Sequence, residues 1–172
     1  AAHLHELYTR ANPYYTGRVT VPLLWDSRRQ TIVNNESAEL VRILNHAFDR
    51  WGNAALDLYP EPLREEIDRI NAFVYERVNN GVYRAGFATT QEAYEEAVEA
   101  LFAALDELEA KLARQRYLAG QRLTEADIRL FTTLVRFDEV YHGHFKCNQR
   151  RIVDYPNLWG FTRELFQLPG IA

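Results

Sequence analysis

Residues 123–131, LTEADIRLF, decide how the chain is to be read. Thr124 stands where an N-cap is wanted. Its hydroxyl is placed to accept the backbone N–H of Asp127, while the Asp127 carboxylate reaches back to the cap, which makes a capping box. Leu123 before the cap and Ile128 after it supply a hydrophobic staple that fixes how the chain enters the helix. So complete a start signal predicts a helix that runs through Phe131, Leu134 and Val135 to about His142.

The helical pattern extends outward from there. Upstream, Tyr94, Val98, Leu101, Leu105, Leu108 and Leu112 recur at steps of four and three, and predict a helix that opens at Thr89 with Glu92 closing a capping box. Gly120 ends that segment. Farther back, Pro62 suits a first helical position, and Ile67, Ile70, Phe73, Val74 and Val78 predict one amphipathic helix that stops at Asn79-Asn80-Gly81. Downstream, a last helix opens at Pro156 and closes before Pro169-Gly170. Residues 54–172 therefore read as a helical bundle.

Residues 1–53 differ in kind. Segments 18–25 and 30–33 read as strands joined by the turn Asp26-Ser27-Arg28-Arg29, and 36–51 carries helix periodicity up to Gly52. Two strands and one helix make a marginal unit with both sheet edges open, so they either lie on the bundle or belong to a larger sheet. Pro22 sits inside the first strand, where a ladder donor is normally needed. A cis Val21–Pro22 bond at a strand end would turn the backbone of Val21 outward, free to pair with an extended peptide; a plain edge-strand proline is the simpler alternative.

Composition narrows the function. The formal charge of −4 does not favour a nucleic-acid partner, since that binding rests on Lys and Arg contacts to phosphate. No apolar run approaches a membrane span, and residues 1–10 have no apolar signal core, so the cytoplasm is the expected compartment. The single cysteine, Cys147, rules out a disulfide within the chain and reads as inert packing or a lone nucleophile. His142, His144 and Cys147 have a conceivable metal spacing but lack a fourth ligand, and histidines at a helix end answering its dipole are the plainer account. No metal is expected. Lys146, Arg150 and Arg151 likewise read as a solvated basic connection.

The stretch Asn34-Asn35-Glu36-Ser37 carries more chemistry. Glu36 and Ser37 fall at the start of a helix whose free N–H groups and positive dipole end attract a carboxylate, and Ser37 adds a hydroxyl donor. Glu36 supplies the opposite charge, so the pair forms a receptor for an amino-acid head group; an ordinary helix start is the alternative. With a peptide-pairing edge at Val21, such a receptor describes glutathione, whose γ-glutamyl end is a free head group.

The stretch GRVTVPLLWD followed by TIVNNES resembles the second half of a thioredoxin-type glutathione-binding domain, and LAGQRLTEADIRLF resembles the helix start of the all-helical domain of glutathione transferases. NNGVYRAGFA, VRFDEVYHGHFKCN and RIVDYPNLWGFTRELFQLPGIA narrow the resemblance to the glutathionyl-hydroquinone reductases, the Xi class. It implies a mainly α fold, with a partial thioredoxin-like domain over 1–53 and the transferase helical domain over 54–172. It implies a cytoplasmic, dimeric enzyme that takes glutathione as co-substrate and phenolic or quinone conjugates as substrates, and reduces glutathionyl-hydroquinones to hydroquinones. Val21 would pair with the cysteinyl backbone of glutathione, Glu36 and Ser37 would hold its γ-glutamyl end, and Arg18 would help fix the tripeptide. Tyr83, with Tyr141 beside it, would line the phenol pocket. The family's nucleophile lies in a Cys-Pro-Trp-Ala motif that is absent from these residues, so the resemblance implies a catalytic cysteine outside them and a chain inactive alone. A non-catalytic binding or assembly module and a conventional glutathione transferase remain as alternatives.

Overall fold

The computed structural model describes residues 1–171, which fall into two compact units, Ala1–Asp57 and a second that begins at Leu58. In the first unit, helix α1 (Leu4–Ala11) packs against a two-stranded antiparallel sheet of β1 (Leu24–Asp26) and β2 (Thr31–Asn34). Trp25 faces Ile32 and Asp26 faces Thr31, with an irregularity between Leu24 and Trp25. The Asp26 carboxylate makes the turn by accepting the N–H groups of Arg28 at 2.8 Å and Arg29 at 2.9 Å.

Three expectations for this unit need correction. The first strand begins at residue 24, not 18, because β2 offers only four residues to pair with and Pro22 has no N–H to give. The second begins at Thr31, since Gln30 takes a left-handed φ of 55° that no strand residue adopts. Helix α2 (Ser37–His46) stops five residues short of Trp51. Beyond Ala47 the N–H groups of Trp51 and Gly52 both donate to the Phe48 carbonyl, and the tightened chain turns. Asn45 donates to the Asp57 carboxylate at 2.9 Å, which ties the end of α2 to the end of the unit. The Val21–Pro22 peptide bond is cis.

The second unit is all-helical. A 3₁₀ turn (Glu61–Leu63) leads into α3 (Arg64–Val74), a π-helical turn (Tyr75–Asn79) and α4 (Asn80–Gly86), and then come α5 (Gln91–Leu112) and α6 (Glu125–Arg136). A second π-helical turn (Phe137–Tyr141), α7 (His142–His144), a 3₁₀ turn (Ile152–Asp154) and α8 (Pro156–Gln167) follow. Helix α5 packs on α4 and α8, and α6 packs on α3 and α8. Ile67, Val74, Leu101, Leu105, Leu130, Leu158 and Leu165 are fully buried between them.

The expected stop at Asn79-Asn80-Gly81 is a correction too, because the helical path runs on to Gly86. Asn79 is held by donating to the Thr133 hydroxyl at 2.6 Å on α6, and Gly81 faces Leu101 on α5. The cap of α5 is Thr90 in place of Thr89: its hydroxyl accepts the N–H of Ala93 at 3.2 Å. Gly120 closes a Tyr117–Gly120 turn at φ 118°, well past the end of α5.

The capping box of α6 is present, and it is wholly buried. Asp127 accepts the N–H of Thr124 at 2.8 Å, the Thr124 hydroxyl at 2.9 Å and the N–H of Leu118 at 2.8 Å. The hydroxyl-to-carboxylate bond is an addition to the capping box that the sequence suggested. Burial pushes the Asp127 carboxyl above the usual carboxylate range, and the backbone N–H groups oppose that rise.

Two substitutions test this description. Asp127→Ala strands the buried N–H groups of Leu118 and Thr124, and a loss of about 3 kcal/mol is expected from the midpoint of urea unfolding at unchanged slope. A loss under about 1 kcal/mol would mean that water reaches those donors. Gly160, inside α8, has no atom beyond its chain neighbours and its own helix backbone within 4 Å of where a Cβ would stand. Gly160→Ala should therefore raise stability by about 0.5–1 kcal/mol through helix propensity alone.

Candidate functional site

Within the first unit, the hydroxyl of buried Tyr8 links the two segments that carry the candidate glutathione residues. It donates to the Thr20 carbonyl at 2.8 Å and accepts the Thr20 N–H at 3.3 Å. Asn35 donates to the same hydroxyl at 3.2 Å and to the Thr20 hydroxyl at 3.3 Å. Residue 20 is thereby fastened beside residue 35, with Val21 following one and Glu36 and Ser37 following the other. Sequence reasoning missed Tyr8, because a tyrosine in an amphipathic helix looks like ordinary core. Its signal was the polar pair Thr20 and Asn35 flanking the candidate residues.

Val21 is 73% exposed, and among the described residues its N–H and C=O have no hydrogen-bond partner. Glu36 is the N-cap of α2 with extended backbone, its N–H held by the Asn34 side chain at 2.7 Å, and Ser37 is the first helical residue. Both side chains are exposed, beside the N–H groups of a first helical turn that have no partner within the helix. The Arg18 carbonyl accepts the Tyr15 hydroxyl at 2.5 Å. The Arg18 side chain is exposed and, among the described residues, makes no ion pair or hydrogen bond.

In the second unit, Tyr83 on α4 and Tyr141 at the end of the second π-helical turn come together with ring centroids 5.9 Å apart and hydroxyl oxygens 3.4 Å apart. Phe145 and Phe87 complete a four-ring cluster. The two tyrosines differ in access. Tyr83 is 44% exposed and lines a depression of about 610 Å³ with Glu76, Asn80, Arg84 and Phe87, whereas Tyr141 is 3% exposed. Tyr141 therefore stands behind Tyr83 and is not a wall that a ligand touches. Burial, helped by the hydrogen bond to Tyr83, pushes the Tyr141 phenol up to about 12, so it stays protonated. Periodicity could not have found Phe87 and Phe145, which flank helix ends.

Cys147 is fully buried, with its sulfur 4.0 Å from the Val82 carbonyl and 3.8 Å from the Phe145 carbonyl. Burial alone pushes the thiol up to about 12. Among the described residues, no three His, Cys, Asp or Glu side chains gather closely enough to hold a metal ion, and no helix is long and apolar enough to cross a membrane.

The family model "Glutathione S-transferase, C-terminal domain" matches residues 91–164. The chain is 59% identical over 169 residues to glutathionyl-hydroquinone reductase YqjG of Escherichia coli strain K12, covering 98% of this chain and 52% of that protein. It is 65% identical over 158 residues to glutathionyl-hydroquinone reductase PcpF of Sphingobium chlorophenolicum, covering 92% and 50%. The chain thus spans about half the length of these relatives. Among solved structures, glutathione-bound YqjG superposes with a TM-score of 0.94 at 59% identity, over 98% of this chain and 55% of that one. A Xi-class transferase from Natrialba magadii gives a TM-score of 0.94 at 57% identity, over 98% and 52%.

The state of Cys147 is open to direct measurement. A thiol that is buried and protonated far above neutral pH should not react with Ellman's reagent in the native protein at pH 8, and should release one equivalent of chromophore after denaturation. Reaction within minutes in the native state would show the thiol to be open.

Proposed function

The chain belongs to the glutathione transferase family, Xi class, and from that premise we propose that it is a segment of a glutathionyl-hydroquinone reductase whose nucleophilic cysteine lies outside these residues. Residues 1–53 act as part of a thioredoxin-like glutathione-binding domain, and 54–172 as the helical domain on the phenol side. The observation that carries this reading is identity near 60% along almost the whole chain to two proteins bearing that name. Two features of the geometry support it: an unpaired backbone edge at Val21 fastened through Tyr8 to the acidic helix start at Glu36, and an exposed phenol, Tyr83, backed by a buried one.

In the proposed reaction, the nucleophilic thiolate attacks the glutathionyl sulfur of the conjugate. The sulfur–carbon bond breaks, its electron pair passes to the aryl ring, and the ring takes up a proton to leave as hydroquinone. A second glutathione thiolate then attacks the resulting mixed disulfide and releases oxidised glutathione, which balances the two electrons gained by the ring. Val21 pairs through its N–H and C=O with the cysteinyl backbone of glutathione, as an added strand does. Ser37 and the N–H groups of the first turn of α2 receive the γ-glutamyl carboxylate, Glu36 takes the ammonium, and Arg18 steadies the tripeptide. The Tyr83 hydroxyl donates to the ring oxygen that gains charge as the bond breaks. The same reading makes the enzyme a cytoplasmic homodimer.

The test uses the longer protein that carries the nucleophile. Glu36→Ala with Ser37→Ala should weaken glutathione binding by about 3 kcal/mol, as for the loss of hydrogen bonds to charged groups, and calorimetry giving unchanged affinity would remove those residues from the site. Tyr83→Phe should lower kcat for a glutathionyl-hydroquinone by about 10²-fold and leave glutathione affinity untouched, the pattern of a donor that acts on developing charge. Turnover of chlorinated aromatics without reduction of the conjugate would point to a conventional transferase, and turnover of neither to a binding module.

A further inference from the structure

Gly86, the last residue of α4, leaves room for the Phe145 ring in a way that no other residue can. A Cβ there would lie 2.4 Å from Cγ, 2.7 Å from Cδ2 and 2.8 Å from Cβ of Phe145, far inside the 3.5–4 Å of favourable carbon contact. Its φ is not left-handed, so closeness alone requires the glycine. The atoms met first belong to the inner end of the side chain, and turning the ring does not carry Cβ away; only movement of the backbone does.

That backbone is held. Tyr94 donates its hydroxyl to the Lys146 carbonyl at 2.5 Å, and the N–H of Cys147 donates to the Tyr141 carbonyl at 3.1 Å. Lys146 sits at a left-handed φ of 58°, and Cys147 beyond it is fully buried. Phe145 therefore cannot retreat from α4. Its ring centroid lies 5.3 Å from Tyr83 and 5.4 Å from Phe87, and among the described residues it is the only ring that meets both. Tyr83 and Phe87 are 44% and 70% exposed, too open for burial alone to fix their rings.

We propose that Gly86 and Phe145 are a positioning and specificity pair: Phe145, admitted by the bare backbone of Gly86, wedges Tyr83 and Phe87 into the wall that receives the aryl group of the conjugate. Edge contacts of this kind fix ring orientation as well as proximity. This inference rests on the role proposed for Tyr83. It adds the residues that set the place of its hydroxyl and the width of the wall.

The experiment uses the longer protein with two conjugates, glutathionyl-benzohydroquinone and glutathionyl-naphthohydroquinone. Gly86→Ala should lower kcat for the one-ring conjugate by about 10- to 100-fold, the cost of a displacement near 1 Å, with the KM for glutathione unchanged. Phe145→Gly should narrow the preference between the two conjugates, and the double variant should match Phe145→Gly within about threefold, because the added methyl then meets no side-chain atom of residue 145. Additive losses in the double variant, or wild-type kcat and preference in folded Gly86→Ala, overturn the proposal. If Gly86→Ala does not fold, Phe145→Leu decides: it places no new atom against α4, and an unaltered preference overturns the pairing. Should the wild-type protein reduce neither conjugate, the proposed reaction fails by itself. Calorimetric binding of benzene-1,4-diol against naphthalene-1,4-diol then gives the same preference, and a ratio that Phe145→Leu leaves unmoved overturns the present inference.

Discussion

The carboxyl group of Asp127 lies out of solvent, and the domain meets it with three donors: the N–H of Leu118, the N–H of Thr124 and the Thr124 hydroxyl. A buried carboxyl left without such partners is among the costliest features a fold can carry, so the turn that leads into α6 and the first turn of α6 are bound to one geometry. The neighbouring residue extends the same constraint. The N–H of Glu125 donates to the Leu58 carbonyl at 2.8 Å, and its carboxylate accepts the Asn71 amide at 2.7 Å, which fixes α6 against α3 and against the start of the unit. With its first turn held from three directions, α6 has no freedom to slide, and the places of Phe137 and Tyr141 farther along follow from that.

Why Tyr83 and Tyr141 face each other is a question of helical phase. Both tyrosines lie at or beyond a π-helical turn, one over Tyr75–Asn79 and the other over Phe137–Tyr141. A π-turn inserts a residue and rotates everything after it, so it re-aims side chains without ending the helix. Asn79 stands where the two helical rods touch, donating to the Thr133 hydroxyl and to the Arg129 carbonyl. An asparagine before Asn80-Gly81 has the look of a stop, and that misreading follows from local propensity, which cannot register a partner 54 positions away. A signal was nonetheless present. The buried stripe Ile70, Val74, Val78, Val82 advances by three successive steps of four, more than a 3.6-residue turn sustains on one face.

Legibility followed the range of the forces involved. The start of α6 could be read from the sequence, because a capping box is completed within four residues. The apolar stripe of α5 was equally plain, since Val98, Leu101, Leu105 and Leu108 all point at one core. The first unit was read less well. Residues 18–23 have strand-like composition, yet a strand exists only where another strand pairs with it, and β2 pairs no farther than Leu24. The helix pattern of 36–51 misled for a related reason: Val41, Leu44, Phe48 and Trp51 keep helical spacing but remain exposed, so periodicity had no packing to enforce it beyond His46. Of the candidate site, Glu36 and Ser37 could be singled out by residue type alone, whereas Tyr8 reaches Thr20 across 12 positions and Phe145 reaches Tyr83 across 62, contacts that no local pattern records.

The unequal burial of the two tyrosines gives the proposed chemistry a direction. A phenol raised to about 12 keeps its proton throughout the range in which a thiol enzyme works, so Tyr141 remains a donor. Its one polar neighbour in the cluster is the Tyr83 oxygen, 3.4 Å away, and with Tyr141 as the donor the Tyr83 proton is free to point toward the depression. In the proposed reaction the two phenols act in series: the inner one holds the proton order and the outer one delivers the proton. The arrangement needs the inner ring dry and the outer ring steady. The core behind Tyr141 meets the first need, and Phe145 pressed against Gly86 meets the second.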